Sequence, residues 1–290
     1  EDSLVAQGMR DLFLADEGCY LAKCDLKGAD GWTIGAYMAM LGDRTMLDDL
    51  LYGLKPAHFP AYVLKFGATD IIKNYHDRAT LKEMFKKIGK EDWEYFVSKQ
   101  ATWGTAYLMG PVLMGERIFI ESEGKINMTQ KEVKEFKEAV YIRYKFDTWH
   151  RWMSDYLSKQ PYPATLKASN GQIRKFFGRN NPKRMEILGE ALAHLPQTYT
   201  THATLKAARR LWNDPENQIR EPHQTRTSRL DSESGPIGGF TNNSKVSSRS
   251  RLRVEILHQV HDELLVQFKI EDTSWAIDKL KSYFGNEIMI

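Results

Sequence analysis

The chain has 290 residues and a mass of 33.5 kDa, with 42% hydrophobic and 27% charged residues. This composition is typical of a soluble globular protein and excludes a disordered, collagenous or coiled-coil chain, and the length allows a core without disulfides or metals. The net charge of +3 is too small to indicate nucleic-acid binding by itself. The longest apolar run is far shorter than the ~18 residues of a membrane helix, so no membrane partner is expected.

The cysteine content indicates the cellular compartment, and the two ends of the sequence indicate whether it is a segment of a longer protein. Cys19 and Cys24 are too few for a disulfide framework and have no neighbours suited to a zinc site. The first residues carry mixed charge and do not resemble a signal peptide. There is no initiator Met, and the last residues are apolar. The sequence therefore predicts a segment of a longer protein in a reducing, cytoplasmic compartment.

The first predicted elements are a strand and an amphipathic helix. The strand covers residues 20–25 and ends on Asp25, and the helix covers residues 30–41 with Asp30 as its N-cap. From about 43 to 160 the hydrophobic pattern is helical and rich in charge, and one helix is expected over residues 91–109.

A further helix is predicted to begin at Thr129. Thr129 and Glu132 have the spacing of a capping box, in which each side chain bonds the other residue's backbone N–H group. The apolar positions that follow form one stripe at helical spacing: Val133, Phe136, Val140 and Tyr144.

The C-terminal half predicts two hairpins separated by a helix and a loop. The first hairpin covers residues 164–178 and turns at Asn170-Gly171; a helix over residues 186–212 follows, interrupted or started near Pro196. Residues 213–253 are predicted to be a flexible basic loop, either a solvated insertion or a segment that orders on a phosphate backbone. The second hairpin covers residues 254–270.

Acidic residues lie at the tip of this second hairpin and at the end of the first strand. Asp262 and Glu263 are at the tip, and Asp25 ends the strand. If the two strands are neighbours, these carboxylates can hold two Mg²⁺ ions roughly 3.5–4 Å apart, as in-line phosphoryl transfer requires. The alternative is that the tip residues serve only as turn residues.

One face of the helix over residues 91–109 has a basic and aromatic pattern. Lys99, Trp103 and Tyr107 follow each other at intervals of four residues and so share that face. Such a face can hold a triphosphate and offer a surface for base stacking. The alternative is an ordinary core helix whose lysine extends to solvent.

Three motifs in this order resemble family A DNA polymerases. The segment LFLADEGCYLAKCDLKGADGWTIGAYMA resembles the first motif of that family, VSKQATWGTAYLMG its fingers helix, and HQVHDELL its third motif. The segment LGEALAHLPQTYTTHATLKAARRLW is similar to the helix that faces the template. The resemblance covers nearly the whole chain, and the hairpin and the template-facing segment resemble the bacteriophage branch more than the bacterial one.

The resemblance implies an α+β right-hand fold, with an antiparallel-sheet palm and mostly helical fingers. Residues 1–30 would form the first part of the palm, 31–160 the fingers and 161–290 the second part of the palm, with 213–253 as an insertion. No part of the chain resembles the thumb of the family or its exonuclease domain. The implied activity is template-directed addition of deoxynucleotides to a primer 3′-hydroxyl during DNA replication, with primer-template DNA and dNTPs as partners.

The same resemblance implies roles for the acidic residues and the lysine. Asp25 and Asp262 would hold two Mg²⁺ ions, with Glu263 supporting them as a further metal-site residue. His261 would contact the primer end. Lys99 would neutralise the incoming triphosphate and assist departure of pyrophosphate.

Residues for the nucleotide and the template strand follow from the other two motifs. Asp30 would exclude a ribose 2′-hydroxyl, Trp103 would pack near the nucleotide sugar and base, and Tyr107 would close the template side of the nascent pair. The template-facing positions are His194, Gln197 and Thr198.

Several positions depart from the family pattern and leave alternatives open; His194 and Thr198 stand where the template-facing helix of the family has Asn and Gln. Tyr95 stands where the family has an Arg that contacts phosphate, and Leu108 stands where it has Gly. The departure at Tyr95 favours a DNA-binding remnant without catalysis, whereas the presence of both Asp25 and Asp262 favours an enzyme. A single-subunit RNA polymerase is a further alternative, against which Asp30 and the HDE sequence at the third motif argue.

Overall fold

The computed structural model describes residues 14–177, 186–219, 251–260 and 262–285. Within these residues the α-helices are α1 (Ala29–Met40), α2 (Thr45–Leu51), α3 (His58–Phe66), α4 (Thr69–Lys73), α5 (Arg78–Phe85), α6 (Trp93–Ala106), α7 (Pro111–Glu121), α8 (Gln130–Tyr141), α9 (Asp147–Ser158), α10 (Glu186–Asn213) and α11 (Thr273–Phe284). The strands are β1 (Cys19–Asp25), β2 (Ala164–Lys167), β3 (Ile173–Phe176), β4 (Gln218–Ile219), β5 (Arg251–Leu252), β6 (Val254–Val260) and β7 (Glu263–Lys269).

Three antiparallel strands form the sheet that carries the acidic residues. Their order is β1-β7-β6, so the strand from the start of the chain pairs directly with one from its end. Alternate side chains of β7, including Leu264 and Val266, are buried against α11 and the last turns of α10. Asp25 and Glu263 are directly opposite each other. Because side chains alternate along a strand, both lie on the face of the sheet that is turned away from α11. The predicted first strand and second hairpin are confirmed.

Helix α1 begins one residue earlier than the sequence predicts, and Asp30 is not its N-cap. Gly28 occupies the N-cap position with a left-handed φ of 66°, a conformation that glycine adopts without steric cost. Asp30 lies in the first turn, and its carboxylate accepts hydrogen bonds from other helices. The N-cap assignment was therefore wrong, because tertiary contacts use the side chain that the local pattern assigned to capping.

Most of the buried side chains belong to one core shared by the helices. In α6, Val97 and Ala101 are fully buried. The capping box that starts α8 is confirmed, since Glu132 donates its backbone N–H to Thr129 Oγ1 over 3.3 Å and accepts from the backbone N–H of Thr129 over 2.7 Å. The predicted apolar stripe of α8 is buried, and Tyr144 is buried just beyond the end of this helix.

Helix α10 runs from residue 186 to 213 without a break at Pro196. The expectation that the helix is interrupted or starts near this proline was wrong. An internal proline costs roughly 3 kcal/mol because it removes a backbone hydrogen bond. The flanking side chains Leu192, Leu195 and Tyr199 are buried in the helical core, and their burial offsets this cost.

Both ends of the predicted loop over residues 213–253 are ordered. Asp214 accepts a hydrogen bond from the Tyr283 hydroxyl over 2.7 Å, and Asn217 bonds both the backbone N–H and the carbonyl of Val254, over 2.8 and 3.2 Å. Strands β4 and β5 pair next to these contacts. The loop prediction was wrong for these ends because buried polar contacts fix them, and residues 220–250 lie outside the described residues.

Two hydrophobic clusters organise the described residues. The larger comprises α1 to α9 together with the β2–β3 hairpin and the first half of α10, and the smaller lies between the three-stranded sheet, α11 and the end of α10. The hairpin is confirmed, with Gly171 at its turn in a left-handed conformation (φ 87°). The division into residues 1–30, 31–160 and 161–290 stays a prediction. None of the described helices combines the length and the apolar character that crossing a membrane requires.

Candidate functional site: paired carboxylates and an aromatic helix face

The end of β1 brings Asp25 together with Asp262. Asp25 is opposite Glu263 in the strand register, and the backbone N–H of Leu26 donates to the carbonyl of Asp262 over 3.4 Å. The carboxyl groups of Asp25 and Asp262 are in hydrogen-bonding contact. The strand register therefore places two acidic residues from opposite ends of the sequence at one point, as the sequence predicts for neighbouring strands.

The electrostatics of this pair suit a bound cation. Burial raises the pKa of Asp25, and the negative charge and hydrogen bond of Asp262 raise it further. Two carboxylates in contact repel each other when both are ionised, and a divalent cation removes that repulsion. Carboxylate oxygens are the ligands that Mg²⁺ prefers. The residues present therefore fit an Mg²⁺ site.

Glu263 is less available to a metal than Asp25 and Asp262. Its carboxylate forms an ion pair with Lys23 at 2.5 Å on the same face of the sheet. Among the described residues, no group of three or more His, Cys, Asp or Glu side chains is arranged to hold a metal ion. Within this part of the chain the candidate ligands are therefore the pair Asp25 and Asp262, and a role for Glu263 stays a prediction.

Helix α6 presents the predicted face toward the start of α1. Lys99 is exposed. The Trp103 ring lies directly over Gly31: a Cβ atom added at Gly31 would be only 2.7 Å from Cη2 of the indole. Trp103 thus lies on a face of α6 that meets the residues following Asp25, and Lys99 lies one turn earlier on the same helix.

Tyr107, at the C-terminal end of α6, is joined to Asp30 and through it to α10. The Tyr107 hydroxyl donates to Asp30 Oδ2 over 2.7 Å, and the Thr200 hydroxyl donates to Asp30 Oδ1 over 3.2 Å. Burial raises the pKa of Tyr107, and the Asp30 charge raises it further, so the phenol is the donor at neutral pH. Asp30 therefore connects three helices, α1, α6 and α10, through both of its carboxylate oxygens.

The turn after Tyr107 has an unusual backbone. Leu108 has a φ of 59°, which is a left-handed conformation that favours glycine, the residue the resemblance places here. The carbonyls on either side are held: Lys137 donates to the carbonyl of Met109 over 2.8 Å, and the His150 ring bonds that of Ala106 at 3.0 Å. These contacts hold the turn in the conformation that glycine would adopt more readily.

The residues predicted to face the template are on α10 and differ in accessibility. Gln197 is exposed, whereas Thr198 is only 5% exposed. The Thr198 hydroxyl bonds Nδ1 of His194 at 3.1 Å, and Nε2 of His194 is buried without a hydrogen-bond partner within the part of the chain that the structure describes. Burial lowers the pKa of His194, and the Arg174 charge lowers it further. His261 lies outside the described residues.

Thr200 and Gly31 belong to the site but are absent from the sequence-based assignment. Thr200 lies in a run rich in threonine, and nothing in its spacing relates it to Asp30, which is 170 positions away. Gly31 follows Asp30 directly, and its importance is steric, since it leaves space for the indole of Trp103. Neither contact could be identified without knowing how α1, α6 and α10 pack.

The fold is similar to that of a DNA polymerase domain. The polymerase domain of Pol1 from M. smegmatis, solved in complex with DNA primer-template and dNTP, matches with a TM-score of 0.59 at 15% sequence identity. The match covers 98% of this chain but only 40% of that one. No protein-family model matches the sequence, and no curated protein is significantly similar to it. The likeness is therefore one of fold.

Proposed function

We propose that this chain is the palm and fingers part of a template-directed DNA polymerase of family A. The observation that carries the proposal is that the acidic pair and the aromatic face of α6 meet on either side of the β1–α1 connection. Asp25 contacts Asp262 before this connection, and Asp30 and Gly31 receive Tyr107 and Trp103 of α6 after it. Acidic residues that suit Mg²⁺ and a helix that suits a nucleotide therefore meet within seven residues of sequence. The likeness of the fold to a polymerase domain supports the same conclusion.

In the proposed reaction, the primer 3′-hydroxyl attacks the α-phosphate of a dNTP and pyrophosphate leaves. Asp25 and Asp262 would hold two Mg²⁺ ions, which lower the pKa of that hydroxyl and stabilise the leaving pyrophosphate when bound. Lys99, exposed on α6, would neutralise charge on the triphosphate. His261 and Glu263 would support the metal site and the primer end.

Selection of the deoxynucleotide would depend on the contacts of α6 with α1. Asp30 has a fixed carboxylate beside Tyr107 and would exclude a ribose 2′-hydroxyl. Trp103 would pack against the sugar and base from its position over Gly31. The template strand would pass along α10 at His194, Gln197 and Thr198. The role in replication and the affinity to the bacteriophage branch belong to this proposal and rest on the sequence motifs.

Primer extension tests the proposal directly. The protein that contains this chain is assayed with primer-template DNA, Mg²⁺ and four dNTPs, beside Asp262→Asn and the matched control Asp278→Asn, whose carboxylate is exposed on α11. We expect extension by the wild type and the control and none by Asp262→Asn, with all three equally folded by circular dichroism.

Three outcomes would contradict the metal assignment or favour an alternative function. Extension by Asp262→Asn at the wild-type rate would contradict the metal assignment. Intact primer-template binding without extension by the wild type would indicate the catalytically inactive remnant suggested by Tyr95. Faster incorporation of rNTPs than of dNTPs would indicate an RNA polymerase instead.

A further inference from the structure

The second half of α10 carries basic side chains and lacks acidic ones. No Asp or Glu occurs between residues 190 and 214, whereas Lys206, Arg209 and Arg210 lie close to the C-terminal end of the helix. None of these three cations forms an ion pair with the residues that the structure describes. Cations near a helix C-terminus interact favourably with the helix dipole, which accounts for their presence but leaves their charge open to a partner.

The acidic residues that follow α10 are already paired. Lys279 of α11 binds Asp214 at 2.9 Å and Glu216 at 3.0 Å. Asp214 also accepts a hydrogen bond from the Tyr283 hydroxyl. These carboxylates are therefore engaged with α11 and do not neutralise the end of α10.

Two large apolar side chains are exposed beside the cations of α10. Trp212 is 58% exposed and Leu205 is 46% exposed. Leu205, Arg209 and Trp212 are spaced by four and three residues and so share one face of the helix, while Thr204 and Leu211 are buried on the opposite face. We call the exposed side chains the outer face of α10: Leu205, Lys206, Arg209 and Trp212.

The outer face of α10 is turned away from the three-stranded sheet. Leu211, on the buried side of α10, belongs to the smaller hydrophobic cluster together with Leu264 of β7. Asp25 is on the other face of that sheet. DNA held at the carboxylate pair would therefore be separated from the outer face of α10 by the sheet, and this arrangement favours a protein partner over the primer-template.

We propose that the outer face of α10 binds an acidic amphipathic segment of a partner protein. The carboxylates of this segment pair with Lys206 and Arg209, and its apolar side chains cover Leu205 and Trp212. Trp and Arg are the residues that most often dominate the binding energy of protein interfaces. The inference concerns a surface outside the candidate active site and does not depend on the proposed function.

Two other occupants match the charge of this surface less well. Residues 220–250 follow α10 closely, but they contain five Lys or Arg residues against three Asp or Glu residues, so their net charge has the same sign as the surface. A second copy of the chain in a two-fold contact would place the cations of one outer face against those of the other. An acidic partner removes the repulsion that both alternatives retain.

Binding of a synthetic peptide tests the proposal. Fluorescence anisotropy is measured on the protein that contains this chain, with a labelled helical peptide that has Glu on one face and Leu on the other. We expect Arg209→Glu and Trp212→Ala each to weaken binding about tenfold. The controls Lys134→Glu and Ile120→Ala alter an exposed lysine of α8 and an exposed apolar side chain of α7, and they should leave the affinity unchanged.

Several outcomes would overturn the proposal. One is the absence of peptide binding to the wild type, and another is an equal loss of affinity in the control variants. Equal affinity for poly-glutamate would contradict the role of the apolar side chains. Peptide binding that appears only after a Gly-Ser linker replaces residues 220–250 would identify that segment as the occupant. A concentration-dependent dimer that is lost in Arg209→Glu would identify a second copy instead. Circular dichroism confirms that each variant is folded.

Nucleic acid and the proposed function are tested separately. Binding of single-stranded oligo(dT) that depends on Arg209 and Trp212, without binding of the peptide, would assign the outer face of α10 to nucleic acid and overturn the proposal. Primer extension by Arg209→Glu should match that of the wild type, and its loss would place this face in the path of the DNA. Peptide binding that depends on Arg209, in a protein that extends no primer, would keep the docking surface and exclude the polymerase.

Discussion

The three-stranded sheet and the helical region hold their candidate functional side chains by different kinds of contact. In the sheet, Asp25 is placed by a ladder of backbone hydrogen bonds between β1 and β7. In the helical region, Tyr107 is placed by a hydrogen bond to the Asp30 carboxylate, which also accepts a hydrogen bond from Thr200. Backbone ladders tolerate changes of side chain, whereas side-chain contacts are lost with a single substitution. The carboxylate pair is thus the fixed part of the site, and the face of α6 is the adjustable part.

A buried ion pair also positions the helices of the helical region. In the helical region Asp49 is fully buried and accepts hydrogen bonds from Arg143, from Arg78 and from the hydroxyl of Tyr144. Arg143 is itself only 1% exposed and packs against the rings of Phe59 and Tyr75. These contacts join α2 to α5 and to the segment after α8, so the arrangement of the helices depends on a few polar side chains.

Asp49→Ala should have the largest effect on stability. The substitution leaves the buried Arg143 without its carboxylate, and breaking a buried ion pair in this way costs about 3–5 kcal/mol. The measurement is the free energy of unfolding in urea. Asp48→Ala is the matched control, since Asp48 forms only partly exposed ion pairs, and its loss should stay below about 1 kcal/mol. Equal losses of unfolding free energy in the two variants would show that the buried ion pair of Asp49 stabilises the fold no more than the surface ion pairs of Asp48.

Gly31→Ala should destabilise the protein only while Trp103 is present. The new methyl group would lie 2.7 Å from Cη2 of the indole, and overpacking of this kind costs about 1–3 kcal/mol. In the Trp103→Phe background that ring carbon is absent, and the higher helix propensity of alanine should make the change neutral or stabilising. A double-mutant cycle of unfolding free energies measures the coupling. Additive effects would show that Trp103 does not depend on the space at Gly31.

Thr200→Val should weaken the positioning of Asp30. It removes one hydrogen bond from a carboxylate oxygen, at a cost of about 1 kcal/mol, and leaves the bond from Tyr107 in place. Incorporation of rNTP relative to dNTP should rise several-fold in the polymerase assay. Thr204→Val is the control, because the Thr204 hydroxyl bonds only a backbone carbonyl within α10. An unchanged ratio in Thr200→Val would exclude Thr200 from nucleotide selection.

The pH dependence of stability should be traceable to His58. Burial lowers the pKa of His58 to about 4 from an ordinary value of 6.5, and the Lys55 charge contributes. The unfolded chain therefore binds a proton near pH 6.5 that the folded chain does not accept until about pH 4, so stability falls as the pH falls through this window. Because the ring is only half-buried, we expect a loss of about 1 kcal/mol. His58→Gln should flatten this slope, and His76→Gln, at an exposed histidine, should not.

The sequence predicts elements whose cause is local. The capping box of Thr129 and Glu132, the turn at Asn170-Gly171 and the strand that ends on Asp25 depend on neighbouring residues, and all three are present in the structure. Asp30 and Pro196 show the limit of local reasoning. The Asp30 side chain, which the local pattern assigned to capping, accepts a tertiary hydrogen bond from Tyr107. Helix α10 continues through Pro196 because its flanking side chains are packed in the core.

The candidate site was predictable where the motifs specify residue types, but its contacts were not. The pairing of Asp25 with Asp262 depends on which strands are neighbours, and the sequence supports that only through the resemblance to a family. Thr200 and Gly31 are part of the candidate site only because the fold brings them close to Asp30 and Trp103. Their chemistry is ordinary, and only the packing of three helices brings the first to Asp30 and the second to Trp103.

The pairing of β1 with β7 also determines when the site can form during folding. Almost the whole chain separates these two strands, and contacts between distant segments form late because closing a long loop costs entropy. The helical region has mostly short connections and can begin to fold while later residues are still being synthesised. Asp25 is therefore expected to lack its contact with Asp262 until β7 has paired with β1. A folding intermediate that lacks β7 can contain α6 but not the pair of Asp25 and Asp262, so the proposed metal site would form only after β7 has docked.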